Sequence, residues 1–158
     1  MTAPVPHTPP GPPPFLPPPD FAPEVWERSL ADLEGRAVEK GAYGLGSTAW
    51  LARALVSPLR QLGAAELRLL VSQGRGLRWT VPLALERLLR EPFAAADYGP
   101  GDLLGAVLTV DPDAWDPAWT ERLARVLHAA RAHAHLLPDA VRARVSDDLD
   151  AAREQFGV

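Results

Sequence analysis

The centre of the chain, residues 66–104, is its densest apolar run, and three short amphipathic segments begin within it. Each repeats apolar residues at helical spacing and is bounded by glycine or proline. The apolar faces are Leu67, Leu70 and Val71, then Val81, Leu85, Leu88 and Leu89, then Leu103, Leu104, Val107 and Leu108. Because helices this short are unstable alone in water, the three must bury these faces against one another.

The rest of the chain also has helical patterns. We predict one short helix over 24–35 ending at Gly35, and another over 48–55 after a loop at 36–46, with Ser47 or Thr48 as its cap. Two more helices are predicted, one over 117–135 and one from near Pro138 to Phe156.

Helix starts within the centre follow from capping rules. Thr80 is expected to cap the second segment, with Pro82 in the first turn. Gly99 is expected to cap the third, which places Asp102 in the first turn against the helix dipole. No strand pattern of useful length is present. The fold class predicted is all-α, a compact bundle of short helices.

The N-terminal stretch, 1–23, contains most of the prolines of the chain and should be a disordered or polyproline II leader. Its PxxP spacings also fit ligands of aromatic-groove modules, although such spacings arise by chance in any proline-dense run. We therefore expect a leader at 1–23 and a single helical domain at 24–158.

Composition excludes several classes of function. The chain has no cysteine, which excludes disulfide scaffolds and thiolate metal sites, and its net charge of -4 disfavours nucleic-acid binding. No apolar run is long enough to span a membrane and no secretory signal is evident, so we expect a cytoplasmic protein. The glycines of 41–46 do not form a phosphate loop, and 111–122 departs from a calcium loop at its sixth and twelfth positions.

The central stretch resembles the immunity proteins of bacterial contact-dependent growth inhibition systems. The first part of the resemblance is carried by Leu67, Arg68, Leu70, Gln73, Gly76, Leu77, Val81, Pro82, Leu83, Ala84, Leu85, Glu86 and Leu88. The second is carried by Asp97, Tyr98, Pro100, Gly101, Asp102, Leu103 and Leu104. With a short opening at 29–34, it covers about 29–118, and the helices over 117–156 are additional. Trp79 and Gly99 depart from the family pattern.

A charge asymmetry marks the most informative surface candidate. Residues 91–121 contain no lysine or arginine but several acids, interleaved with Phe93, Tyr98, Trp115 and Trp119. These acids either cap helices and pair with arginines of neighbouring helices, or form an acidic, aromatic patch for a basic partner. The candidate partner-binding residues are Asp97, Tyr98, Asp102, Asp111, Asp113, Trp115 and Asp116.

Chemistry of other kinds finds no support in the sequence. No nucleophile motif is present, and the histidines are not spaced to share a metal. We therefore expect a non-catalytic protein without a cofactor. The resemblance implies an immunity protein that binds and blocks the C-terminal domain of a cognate toxin. The alternative is a helical adaptor that uses the proline-rich tail as a second recognition element.

Overall fold

A computed structural model of the chain describes residues 21–35 and 47–158, and within these ranges it contains eight α-helices. They are α1 (Pro23–Trp26), α2 (Leu30–Glu34), α3 (Ser47–Val56), α4 (Ala64–Ser72), α5 (Leu77–Arg90), α6 (Asp102–Leu108), α7 (Thr120–His133) and α8 (Asp139–Phe156). Short 3-10 helices lie at Leu59–Gln61, Pro112–Ala114, Pro117–Trp119 and Ala134–Leu136. These ranges contain no strand, only an isolated bridge between Ser29 and Pro58. The prediction of an all-α fold is confirmed.

The core forms where α4, α5 and α6 pack against one another, and α7 closes it against α5. The predicted apolar faces of the three central helices lie in one hydrophobic cluster, with only Leu89 and Leu108 half-buried. Fully burying a leucine side chain contributes about 1.5–3 kcal/mol, so these faces hold the bundle together. The longest helix, α8, packs on α6 and α7.

The predicted helix over 24–35 is wrong in one respect, because the structure divides it into α1 and α2. Ser29 has extended backbone angles, and its hydroxyl accepts a hydrogen bond from the amide of Asp32, which caps α2. The Leu59 amide donates to the carbonyl of Arg28 at 2.9 Å, tying the break to the bundle. Gly35 ends α2 as predicted, with φ of 64°.

The predicted starts of α5 and α6 are also wrong. Helix α5 begins at Leu77, after Gly76 in the left-handed region, so Pro82 lies inside the helix and Thr80 is not its cap. Thr80 is buried, and its hydroxyl donates to the carbonyls of Arg75 and Gly76, each at 3.1 Å. Helix α6 begins at Asp102 after Gly101, so Gly99 is not its cap.

The C-terminal helices agree with the prediction. The Asp116 carboxylate caps the 3-10 turn Pro117–Trp119, which leads directly into α7. The segment buries five of its side chains: Trp119, Leu123, Val126, Leu127 and Ala130. On α8, Val145, Leu149 and Ala152 are buried, while Val141 and Phe156 are half-buried against the core.

Some predictions fall outside the described residues: the leader over 1–20, the loop with Gly41, Gly44 and Gly46, and the cap at Ser47 or Thr48. Phe21, placed in the leader by the sequence pattern, packs half-buried against the core, and α1 begins at Pro23. In the described part of the chain, no helix combines the length and apolar character needed to cross a bilayer.

Candidate partner-binding surfaces

The structure distributes the candidate binding residues over two depressions. Tyr98 and Asp102 line a cleft of about 560 Å³, with residues of α4, α6 and α8 as its other walls. Trp115 and Asp116 line a separate depression of about 570 Å³ beside the start of α5. Residues that are near in sequence therefore belong to two surfaces.

At the first cleft, Asp102 organises the loop before α6. Its carboxylate accepts hydrogen bonds from the amide of Ala96 at 2.7 Å and of Tyr98 at 2.8 Å. The Arg68 guanidinium lies 3.9 Å from the same carboxylate, and only 8% of the Asp102 side chain is exposed. Asp102 thus acts within the protein, and its charge is not presented at the surface.

Tyr98 lies in the loop that Asp102 organises, and its side chain faces solvent. Its side chain is 79% exposed, and the Arg68 guanidinium carbon lies 4.3 Å from the ring centroid, in a cation–π contact. Arg68 also reaches the carboxylate of Asp97 at 3.6 Å. The loop therefore presents one aromatic ring in a fixed position, beside an acid whose charge is partly compensated.

The acidic segment, which we define as residues 111–116, keeps its charges at the surface. One Asp111 oxygen accepts from the amide of Asp113, and one Asp116 oxygen accepts from the amide of Ala118, each at 2.9 Å. Asp111, Asp113 and Asp116 are all exposed. These caps hold the carboxylates of Asp111 and Asp116 without neutralising them, so the capping expected of these acids is confirmed for two of them, and binding of a basic partner stays a prediction.

Trp115 is fixed by three neighbours. Its indole N–H donates to the Thr120 hydroxyl at 3.1 Å, and its ring meets Trp119 edge-on with centroids 5.3 Å apart. The ring of Phe156 lies 4.6 Å away on α8. The last turn of the chain's final helix therefore supports this candidate residue.

The structure adds Trp79 and Arg78 to the candidates. It also adds Trp119, which the sequence analysis placed among the aromatic residues of 91–121 but not among the candidate binding residues. A further depression of about 500 Å³ adjoins the one at Trp115 and shares Arg78, Trp79, Asp116 and Trp119 with it. We call the two together the tryptophan groove. The available sequence signal was the spacing of Trp115 and Trp119, four residues apart, whereas Trp79 lies on α5 and reaches them only through the fold.

The described residues do not form a candidate metal site. Among them, no three His, Cys, Asp or Glu side chains come together as a metal site would require. His128, His133 and His135 are exposed. Burial lowers the pKa of the Arg87 guanidinium on α5, and Glu91 and Glu66 oppose that shift.

Comparison with known proteins gives one match. No curated protein and no solved structure matches the chain. A family model for CDI immunity proteins matches residues 36–125, which is more than half of the chain. The matched residues include α3 to α6 and end within α7, close to the span of the resemblance seen in the sequence. The chain therefore belongs to the family of CDI immunity proteins, which supports a role in neutralising a toxin of contact-dependent growth inhibition.

Proposed function

We propose that this protein neutralises a cognate toxin domain by binding it stoichiometrically and covering its active site. The observation that carries the proposal is the family match over 36–125. A stable complex of this kind buries on the order of 1,600 Å² in total, so the protein needs a sizeable, pre-formed surface and no catalytic group.

The acidic segment supports a basic partner surface. Asp111, Asp113 and Asp116 are exposed, and the carboxylates of Asp111 and Asp116 cap turns. No lysine or arginine occurs between 91 and 121. A toxin that acts on nucleic acid has a basic cleft, because it must bind phosphates. Carboxylates of this protein would then occupy the positions of the substrate's phosphates and block access to the cleft of the toxin.

Stoichiometric inhibition is the direct test. The probe is the toxin domain that co-purifies with this protein from the producing strain, isolated and assayed for its own activity. We expect activity to fall linearly with added immunity protein and to reach its minimum at one molecule per toxin domain. Full toxin activity in the presence of an excess of immunity protein would refute the proposal.

The electrostatic part of the proposal has a test of its own. Changing Asp111, Asp113 and Asp116 together to asparagine removes the charges but keeps an oxygen for each cap. We expect association with the toxin domain to slow about tenfold at low salt, with a weaker salt dependence, because rim charges act mainly on encounter.

A matched control is available on α8. Changing Asp147, Asp148 and Asp150 to asparagine alters the net charge equally at other exposed positions. Stopped-flow association rates at several salt concentrations compare the two variants. Equal slowing by both would mean that only net charge matters, and no slowing by the first would remove the acidic segment from the interface.

Removal of residues 1–20 separates this function from that of an adaptor. The deletion leaves Phe21 and α1 in place, so the described fold is preserved. An immunity protein should still protect cells that express the toxin domain. Loss of protection by a folded deletion variant would favour the adaptor, in which the proline-rich tail recognises a partner.

A further inference from the structure

The tryptophan groove is a pre-formed aromatic surface. Trp119 is buried at its base, and Trp79 and Trp115 are half-buried along it. Trp115 is held by Thr120, Trp119 and Phe156, so its ring does not need to be ordered when a partner binds. Rigid aromatic side chains in a depression are typical of the residues that dominate binding energy at protein interfaces.

The charges around the groove select the kind of side chain that fits it. Glu34 and Asp116 line it directly, and Asp111 and Asp113 lie in the same segment as Asp116. Indole faces attract cations, and a guanidinium can stack on them while it pairs with carboxylates. The groove therefore combines both features that an arginine side chain uses.

The protein itself provides a model of this contact. The guanidinium carbon of Arg78, an exposed residue, lies 5.4 Å from the centroid of the Trp79 ring. This shows that the Trp79 face is accessible to a cation from the solvent side. It also places a positive charge where a cationic partner side chain would enter, which opposes binding.

From these contacts we infer that the tryptophan groove receives a cationic side chain of the toxin domain, an arginine in preference to lysine, and that Arg78 moves aside for it. The inference rests on the proposed function, because it names the partner chemistry of the same protein surface. It assigns Trp79, Trp115 and Trp119 as anchors, and gives the carboxylates of Glu34 and Asp116 the role of pairing with the incoming charge.

A similar pair on α3 serves as the control. The Arg53 guanidinium carbon lies 5.5 Å from the centroid of Trp50, whose side chain is 48% exposed. Among the described residues, the depression that Arg53 lines is otherwise lined by Ala49, Ala52 and Val56, and these include no carboxylate and no tryptophan. Changes at Trp50 and Arg53 therefore reproduce the chemistry of changes at Trp79 and Arg78 on a different surface.

The first measurement compares Trp79→Ala with Trp50→Ala by calorimetric titration with the toxin domain used in the inhibition assay. Loss of a central anchor costs about 30-fold or more in affinity, so Trp79→Ala should weaken binding to that extent and Trp50→Ala should leave it within about threefold. Circular dichroism verifies the fold of each variant. Equal affinities for the two variants would overturn the inference.

The second measurement asks whether removal of a positive charge strengthens or weakens binding. The substituted arginines are exposed, so the core is not disturbed. Arg78→Gln removes a competing exposed cation, so it should tighten binding about fivefold, whereas Arg53→Gln should leave the affinity unchanged. Weaker binding by Arg78→Gln would mean that the groove accepts an anionic group, and equal tightening by both would mean a general charge effect. Either result overturns the inference.

The two proposals fail in different ways. If the unmodified protein does not bind the toxin domain, the proposed function falls, and the groove assignment falls with it. If the unmodified protein binds and inhibits the toxin while the Trp79 and Arg78 variants behave like their α3 controls, only the groove assignment falls.

Discussion

Asp102 shows how one buried carboxylate can set the shape of an exposed surface. Its carboxylate accepts hydrogen bonds from the amides of Ala96 and Tyr98. It also lies near the Arg68 guanidinium, which contacts the Tyr98 ring. A carboxylate that accepts backbone N–H groups forms charge-assisted bonds, which are stronger than neutral ones. The exposed position of Tyr98 therefore depends on a residue that is itself almost inaccessible.

We predict that Asp102→Ala lowers the free energy of unfolding by about 2–3 kcal/mol, because it leaves backbone donors without their acceptor. Asp113→Ala is the control, since its side chain is exposed and its change should cost less than about 0.5 kcal/mol. Urea unfolding followed by circular dichroism compares the two. Equal stabilities would show that water replaces the Asp102 carboxylate.

Residue patterns predicted the end of α2 at Gly35 better than they predicted long-range contacts. Gly76 lies in the left-handed region with φ of 57°, but it precedes the start of α5 and does not end a helix. A Cβ at this position would also lie 2.5 Å from a methyl carbon of Leu30, a contact between residues far apart in sequence. Local spacing contains no information about that approach, nor about the loop that Asp102 organises.

At the scale of elements, α8 is a part of the bundle like the helices matched by the family model. The match ends at residue 125, inside α7, yet α8 buries Val145, Leu149 and Ala152 against the bundle. Phe156 near its end supports Trp115. The helices beyond the match therefore complete the core and support one of the tryptophan side chains of the groove.

Leu149→Ala tests this contribution. Leu149 is only 3% exposed, so the truncation should destabilise the protein by about 2–4 kcal/mol through lost burial and the cavity that remains. Leu136→Ala provides the same chemical change at a side chain that is 69% exposed, where we expect almost no effect. Thermal and urea unfolding measure both. A small effect at Leu149 would mean that α8 is only loosely attached.

The apolar periodicity predicted the central and C-terminal helices because a helix that packs on a core needs apolar residues at the spacing that places them on its buried face. Helix starts were less predictable. Thr80 was expected to cap α5, but the helix begins three residues earlier, at Leu77, after a glycine in the left-handed region. The Thr80 hydroxyl instead donates to the carbonyls of Arg75 and Gly76. The break between α1 and α2 depends on Ser29 and on a hydrogen bond from Leu59 that no local pattern reveals.

At the scale of the whole molecule, chain order was a poor guide to the site. The acids and aromatic residues of 91–121 look like one patch in the sequence, but α6 and the turns after it separate them into two surfaces. Tyr98 lines the cleft with Arg68, whose guanidinium also reaches the Asp97 carboxylate. The acidic segment instead adjoins the tryptophan groove, which needs Trp79 from α5.

The two surfaces lead to different predictions for the complex with the toxin domain. An interface of ordinary size covers about 800 Å² on each partner, which we expect to include the tryptophan groove and the acidic segment. Amide hydrogen exchange followed by mass spectrometry, with and without the toxin domain, should show slower exchange at 111–119 and at the start of α5. Exchange at 93–101, the loop of Tyr98, should change little, because the Asp102 hydrogen bonds already hold it in the free protein. Protection confined to 93–101 would instead place the toxin on the Tyr98 cleft and remove the tryptophan groove from the interface.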